Sequence, residues 1–240
     1  MSEPRGVDAP AYWGAKAAEY DDFIRRVVPR YDEMIDRLLD TLPAAPQRIL
    51  ELGCGTGNVS LRLQRAAPAA TLTLVDAAPE MLALTRARLA AADPAAAARA
   101  RFIEARFEAL PAEPAAYDAV VACISLHHVG DPAPVYHTLR ASLQPTGALC
   151  LADGYSTANP ALHAHHLARW HAFWRQPGNL SVEEIESVRT HVEQHDHYFD
   201  LETHFAMLHA AGFAAPDCVW RDGLFAVVTA QGSSPRERRV

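Results

Sequence analysis

Cysteine is scarce: the chain holds four, at positions 54, 123, 150 and 218, and no two of them form a C-x-x-C motif. No disulfide framework can be read from that spacing, and free thiols in a reducing compartment are expected. Long apolar runs are also missing, with none near the ~20 residues a membrane-spanning helix needs. The stretch Met1–Asp8 lacks the apolar segment of a signal peptide, so a cytoplasmic protein is expected. Positive charge is not in excess, the formal net charge being −7. The cluster Arg99, Arg101 and Arg106 reads as a solvated face, and neither nucleic acid nor membrane is an expected partner. There is no Gly-Lys-Ser/Thr element, which rules out a Walker-type phosphate loop. No internal repeat is visible.

What the chain does have is a large apolar fraction, 50% of its 240 residues, enough for one sizeable core. Residues 1–43 read as an N-terminal helical arm and cap: a loose stretch at 1–11, then an apolar stripe of Phe23, Val27, Tyr31, Met34, Ile35, Leu38 and Leu39. Pro29 splits that stripe into two helices. Strands are predicted at Arg48–Leu52, Thr71–Val75, Arg101–Glu104, Tyr117–Ile124 and Ala148–Asp153. Helices are predicted between them at 58–66, 79–91 and 132–143, with Ala95–Ala98 as a helix end and loop. This alternation implies a doubly wound, mostly parallel α/β sheet. After the fifth strand come two helices, over 159–176 and 182–197, that form an insert at 159–197. A helix over 201–211 and a hairpin at Asp222-Gly223, flanked by 214–220 and 224–229, follow. The sheet then has seven strands with an antiparallel last strand. The main domain is bounded at 44–230, and 231–240 reads as a disordered tail.

Gly53, Gly55 and Gly57 follow the first strand and open a helix. Glycine permits a tight turn and lets a ligand lie against the backbone, while the helix start offers free N–H groups. A dinucleotide fingerprint needs a glycine at position 58, where this chain has Asn58. Asp76, ending the second strand, is placed to accept both ribose hydroxyls of an adenosine moiety. The alternative, an Asp that caps the helix at Pro79, accounts less well for its pairing with the glycine loop.

These features together resemble the class I S-adenosylmethionine-dependent methyltransferases. The resemblance rests on Glu51-Leu-Gly-Cys-Gly-Thr-Gly57, Leu74-Val-Asp-Ala-Ala-Pro-Glu-Met-Leu82, the segment 102–111, the segment Tyr117–His128 and the turn at 143–149. It implies a Rossmann-like fold and S-adenosyl-L-methionine as cofactor. By resemblance, Gly53, Cys54 and Gly55 would meet the methionine part and ribose. Asp76 would hold the ribose, and Ala77, Arg106 and Phe107 would meet the adenine. Cys123 would offer a carbonyl near the sulfonium, and Glu51 would fix the loop and add negative potential. The family usually has an acid at position 106. Arginine has donors alone, so Glu104 or Glu108 is a candidate replacement for the adenine contact.

Val28–Asp32, the His165-His166 region, Glu184–Arg189 and Leu201–Phe213 are similar to segments of carboxy-S-adenosylmethionine synthase. That similarity implies that Tyr31 reaches the cofactor, that Arg189 grips an added carboxylate, and that the protein is a homodimer. The competing reading of Arg189 is an exposed helix residue paired with Glu186 or Glu193. The expected function is methyl transfer to a small-molecule acceptor. The alternatives are a carboxy-S-adenosylmethionine synthase relative or user, and a non-catalytic adenosyl-ligand-binding module. No catalytic residue is assigned. His127, His128, Trp170 and His195 are candidate acceptor contacts. The remaining histidines crowd 163–171 and 191–197, and His191 and His195 share a helix face. No Cys or Glu completes a known signature, so no metal is expected. The insert is the candidate lid.

Overall fold

The structure is a computed structural model that describes residue 17 and residues 19–232. The loose stretch at 1–11 and the tail from 233 onward lie outside the described residues. Two short helices come first, α1 (Tyr20–Val27) and α2 (Tyr31–Leu39). Pro29 and a left-handed Arg30, φ 55°, make the break between them. Their shared stripe is buried through Phe23, Ile24, Val27, Met34, Ile35 and Leu38.

The βα rhythm then runs β1 (Arg48–Leu52), α3 (Asn58–Ala66), β2 (Thr71–Asp76), α4 (Pro79–Ala92), α5 (Pro94–Arg99), β3 (Arg101–Glu104), β4 (Tyr117–Cys123), α6 (Ala133–Ser142) and β5 (Leu143–Gly154). The insert supplies α7 (Pro160–Trp174) and α8 (Val182–His195), followed by α9 (Leu201–Ala210), β6 (Phe213–Asp222) and β7 (Phe225–Gly232). The seven strands lie in the order β3-β2-β1-β4-β5-β7-β6. Strands β1 to β5 pair in parallel, and β7 is antiparallel to both its neighbours. The sheet is that of a Rossmann-like methyltransferase fold.

Alternate residues of the central strands enter two cores, one on each face of the sheet. Ile49, Leu74 and Val121 join the helices α1 to α4 on one face. Leu50, Leu52, Val75 and Val120 join α6 and α9 on the other. Both faces being covered explains why these strands read as continuous apolar runs.

Three boundaries differ from the sequence reading. The alanine run predicted as a helix end is a helix of its own, α5, because the Asp93 carboxylate caps it, accepting from the N–H groups of Ala95 at 2.9 Å and Ala96 at 3.1 Å. Strand β5 begins at Leu143 rather than Ala148, Leu143 pairing with Tyr117 before a register shift leads to the Ala119–Ala148 pair. Residues 231 and 232, read as tail, are the end of β7.

The insert is fastened to α1. The indole N–H groups of Trp170 and Trp174, one helical turn apart, both donate to the Val27 carbonyl, at 2.8 and 2.9 Å. That carbonyl lies in the last turn of α1, where no helical partner is available. Arg26 adds an ion pair to Glu184 at 2.8 Å. Glu184 also closes a capping box with Ser181 at the start of α8. Trp174 is 1% exposed. We expect Trp174→Ala to lower the unfolding free energy by about 3–5 kcal/mol, read by urea denaturation. A loss below about 1 kcal/mol would mean the insert is not packed on α1 as described.

Candidate active site

The turn after β1 is built from left-handed glycines: Gly53, Gly55 and Gly57 have φ of 66°, 53° and 88°. A Cβ on Gly53 would lie 2.4 Å from the Ser125 Cβ, so this position is closed to any side chain on two counts. A Cβ on Gly55 would meet no heavy atom within 4 Å, leaving open space above the turn.

Side chains from three elements hold the turn in place. The Asp76 carboxylate accepts from the Gly55 N–H at 2.8 Å and the Ala78 N–H at 2.9 Å. The Thr85 hydroxyl donates to the Gly55 carbonyl at 2.6 Å. The Thr56 hydroxyl donates to Asp21 of α1 at 2.5 Å, and Arg88 bonds both the Thr56 carbonyl, at 2.9 Å, and Asp21, at 2.7 Å. Burial raises the Asp76 carboxyl above the usual range, opposed by those backbone N–H groups.

A cleft of about 790 Å³ opens over this turn at the carboxyl ends of the parallel strands. Gly53, Gly55 and Asp76 form its floor, Ala77, Met81, Phe107 and Glu108 one wall, and Ile124, Ser125 and His128 the other. Ile124 sits at φ 49°, a strained conformation for a β-branched residue of the kind that gathers at functional sites.

Behind His128 lies a buried polar wall. Asp153, at the end of β5, accepts from the N–H groups of Leu126 at 2.9 Å, His127 at 3.2 Å and Gly154 at 2.8 Å, and pairs with His127 Nδ1 at 2.5 Å. Burial alone would depress the His127 pKa. Asp153 and Asp196 outweigh it and hold the imidazole at about 9. His127 is therefore an imidazolium at neutral pH, already paired, and not a free base. Burial and the charge of His127 depress the pKa of His128. Across the wall, a second cavity lies between β5 and the insert, lined by Tyr155, Leu167, Trp170, Trp174, Tyr198 and Phe225 with His163, His171 and Arg189 at its edge.

A family model described as a methyltransferase domain matches residues 49–147, the segment carrying the glycine turn, Asp76 and the His127 turn. The chain is 33% identical over 141 residues to a demethylmenaquinone methyltransferase of Thermus thermophilus, covering 53% of this chain and 62% of that one. It is 25% identical over 234 residues to a ubiquinone/menaquinone biosynthesis C-methyltransferase of Azotobacter vinelandii, covering 89% and 92%. The chain thus carries a match to a methyltransferase domain over residues 49–147 and is similar to quinone-pathway methyltransferases along most of its length. A solved complex of a Haloferax volcanii methyltransferase with the Trm112 activator shares the fold of this chain, at a TM-score of 0.68 and 16% identity over 97% of this chain and 100% of that one. The match to the Thermus protein spans less than two thirds of that protein's length. Among the described residues, no helix is long and apolar enough to cross a membrane.

Of the residues assigned by sequence, the cleft gathers Gly53, Gly55, Asp76, Ala77, Arg106, Phe107 and His128. Cys54 and Cys123 contribute no side chain to it: Cys54 is buried, and Cys123 points into the core on the α1–α4 face. Tyr31 is likewise a core residue, and the tyrosine that lines the cleft from the N-terminal helices is Tyr20. Glu51 is 2% exposed and accepts from the Ser60 hydroxyl at 2.7 Å. Burial pushes its carboxyl up to about 8, so at neutral pH it lacks the negative potential expected of it. Glu108 is the cleft-lining acid near Arg106, whereas Glu104 is exposed at the end of β3.

Arg189 does not line the cleft. It is half-exposed and pairs with Glu186 at 3.4 Å and Glu193 at 3.5 Å, the ordinary helix-surface arrangement. The carboxylate grip and the resemblance to carboxy-S-adenosylmethionine synthase lose their support, and the relatives reported above lend none to the homodimer. Trp170 lines the second cavity with its N–H already used, and His195 lines neither space. Sequence reasoning missed Met81, Ser125 and Ile124 in the cleft. Ser125 had a signal, since a glycine at 53 implies a close neighbour.

Two outcomes follow from this geometry. Gly53→Ala should destabilise the protein by clearly more than Gly55→Ala, which carries the left-handed cost of about 1–2 kcal/mol alone. Thermal unfolding compares the two, and equal costs would contradict the Ser125 contact. For Glu51, the folded carboxyl at about 8 lies above its ordinary 4.5. The folded state therefore binds the extra proton between those values, and the stability it contributes below pH 4.5 is lost as pH rises toward 8. Glu51→Gln should flatten that decline in unfolding free energy, and parallel profiles for the two proteins would contradict the raised pKa.

Proposed function

We propose that the cleft over the glycine turn holds S-adenosyl-L-methionine and that the methyl group passes to a small, largely apolar acceptor seated between β5 and the insert. The observation carrying the cofactor half is the Asp76 carboxylate, fixed by two backbone N–H groups at the cleft floor with lone pairs left for two ribose hydroxyls. The adenine lies between Phe107 and the Ala77–Met81 side. Glu108 accepts from its amino group in place of the usual acid at 106. The acceptor half is supported by the cavity lining, where Trp170, Trp174, Tyr155 and Phe225 offer ring faces and little free hydrogen bonding. The relatives' names point to quinone-type rings as methyl acceptors, and such a ring suits aromatic walls.

A sulfonium methyl is already electrophilic. The protein's part is to align the acceptor with the S–CH₃ bond and to exclude water. His128 faces the cleft and Tyr198 faces the second cavity, so the wall between them must shift for the acceptor to reach the methyl group. The insert is the segment that moves, hinged beyond the Val27 anchor.

Calorimetry with S-adenosylhomocysteine should show binding to the wild type. Asp76→Ala should weaken it by about 2–3 kcal/mol, roughly 30- to 150-fold. With labelled S-adenosylmethionine, the label should move to apolar ring-bearing acceptors in preference to amines or carboxylates. Unchanged affinity in the Asp76 variant would contradict the cofactor placement, and transfer confined to polar acceptors would contradict the cavity assignment.

A further inference from the structure

Three imidazoles and a carboxylate converge in the wall behind the cleft, from elements far apart in sequence. His127 and His128 come from the turn after β4, and His191 and Asp196 from the end of α8. One oxygen of Asp196, Oδ1, stands at the centre. It lies 3.2 Å from His128 Nδ1, 3.6 Å from His191 Nε2 and 3.7 Å from His127 Nε2. The side chains of His127, His191 and Asp196 are 6%, 5% and 4% exposed.

Two of these separations, to His191 and His127, are too long for hydrogen bonds, and the third, to His128, is at the long end of their range. Charge-assisted N–H···O bonds close to about 2.7–2.9 Å, and Asp196 Oδ1 has no hydrogen bond of accepted geometry although it is fully enclosed. These separations are right for ligands of one ion. Donors about 2.0–2.2 Å from a tetrahedral centre lie about 3.3–3.5 Å from one another. We propose that His127, His128, His191 and Asp196 bind a divalent transition-metal ion between the cofactor cleft and the root of the insert.

The surrounding contacts fit ligand roles. His127 donates Nδ1–H to Asp153, which fixes the ring with Nε2 turned toward Asp196; an ion there would displace the Nε2 proton of the imidazolium and complete the carboxylate–histidine–metal arrangement. The Tyr198 hydroxyl donates to the other Asp196 oxygen, Oδ2, at 2.7 Å, leaving Oδ1 for the ion. His127, His128 and Asp196 satisfy the ligand-atom spacing of a metal site as a trio, with one ligand atom from each within 4.8 Å of the others. His191, whose Nε2 lies 3.6 Å from Asp196 Oδ1, stands outside that mutual spacing and would turn in to become the fourth ligand. An imidazole-rich set with a single carboxylate suits zinc, cobalt, nickel or iron over magnesium or calcium, which take oxygen ligands.

The ion would join the sheet to the insert where one backbone bond already does, His197 N–H donating to the His127 carbonyl at 2.7 Å. Binding the folded state alone, it would hold the insert down and raise stability. This inference does not rest on the acceptor reading, and its test needs no cofactor.

Tag-free protein is treated with chelator, dialysed, and titrated with Zn²⁺ by calorimetry and with Co²⁺ by visible absorption. The expected result is one ion per chain, a rise in melting temperature, and the intense d–d bands of four-coordinate cobalt. Asp196→Asn and His191→Gln should each weaken zinc at least about 100-fold. Tyr198→Phe, which removes a bond to the ligand rather than the ligand, should weaken it about 10- to 100-fold. His195→Ala, whose ring lies 5.0 Å from that of His191 without reaching Asp196, should change nothing. Should the wild type bind no stoichiometric ion, or give cobalt the weak spectrum of the six-coordinate aquo ion, the site is a salt-bridge network and the proposal fails. Equal affinity in the wild type, Asp196→Asn and His191→Gln would place the metal elsewhere and overturn it too.

Discussion

The carboxylate of Asp76 is asked for twice. It latches the glycine turn by accepting from Gly55 and Ala78, and in the function proposed above its remaining lone pairs take the ribose hydroxyls. The turn depends on that latch because three residues are left-handed in the space of five. A backbone with that conformation would otherwise be free to open, glycine being the residue with most freedom to lose. Thr85, Asp21 and Arg88 close the remaining routes by tying the Gly55 and Thr56 carbonyls and the Thr56 hydroxyl to α4 and α1. The cradle is therefore set before any ligand arrives, and the order of α1 is coupled to the order of the turn.

The insert is held by a different kind of interaction. Two indoles share the Val27 carbonyl, and their rings fill the space between α1, α7 and Phe225. The other end of the insert meets the sheet through charge, with His127 clamped between Asp153 and Asp196. The apolar end is the firmer of the two, since burying an aromatic side chain does not depend on pH or ions. The polar end can be released by changing its charge or ligands. That asymmetry makes the end nearest the cleft the natural place for movement during acceptor entry and product release.

Most of the fold was legible because its signals are local. Strand β1, the glycines and Asp76 lie within one βα unit, and their spacing alone carries the geometry. The phase of α1 was harder. Tyr20 and Tyr31 are both aromatic residues of the N-terminal helices, and which of them faces the cleft depends on how α1 docks, not on the helical repeat. Arg189 looked like a ligand grip by resemblance, yet its neighbours Glu186 and Glu193 at helical spacing already described where it would sit. The histidine wall could not be read at all. His191 and His195 suggested themselves as a pair because they are one turn apart. The residues that converge on Asp196 come from the turn after β4 and the end of α8, and only the closing of the insert over the sheet brings them together.

A crystal structure with S-adenosylhomocysteine bound tests the central claim most directly. The account predicts both ribose hydroxyls within hydrogen-bond distance of Asp76, the adenine against Phe107 with its amino group toward Glu108, and the sulfur on the His128 side of the cleft. A ligand seated in the second cavity, or one whose ribose turns away from Asp76, would contradict it.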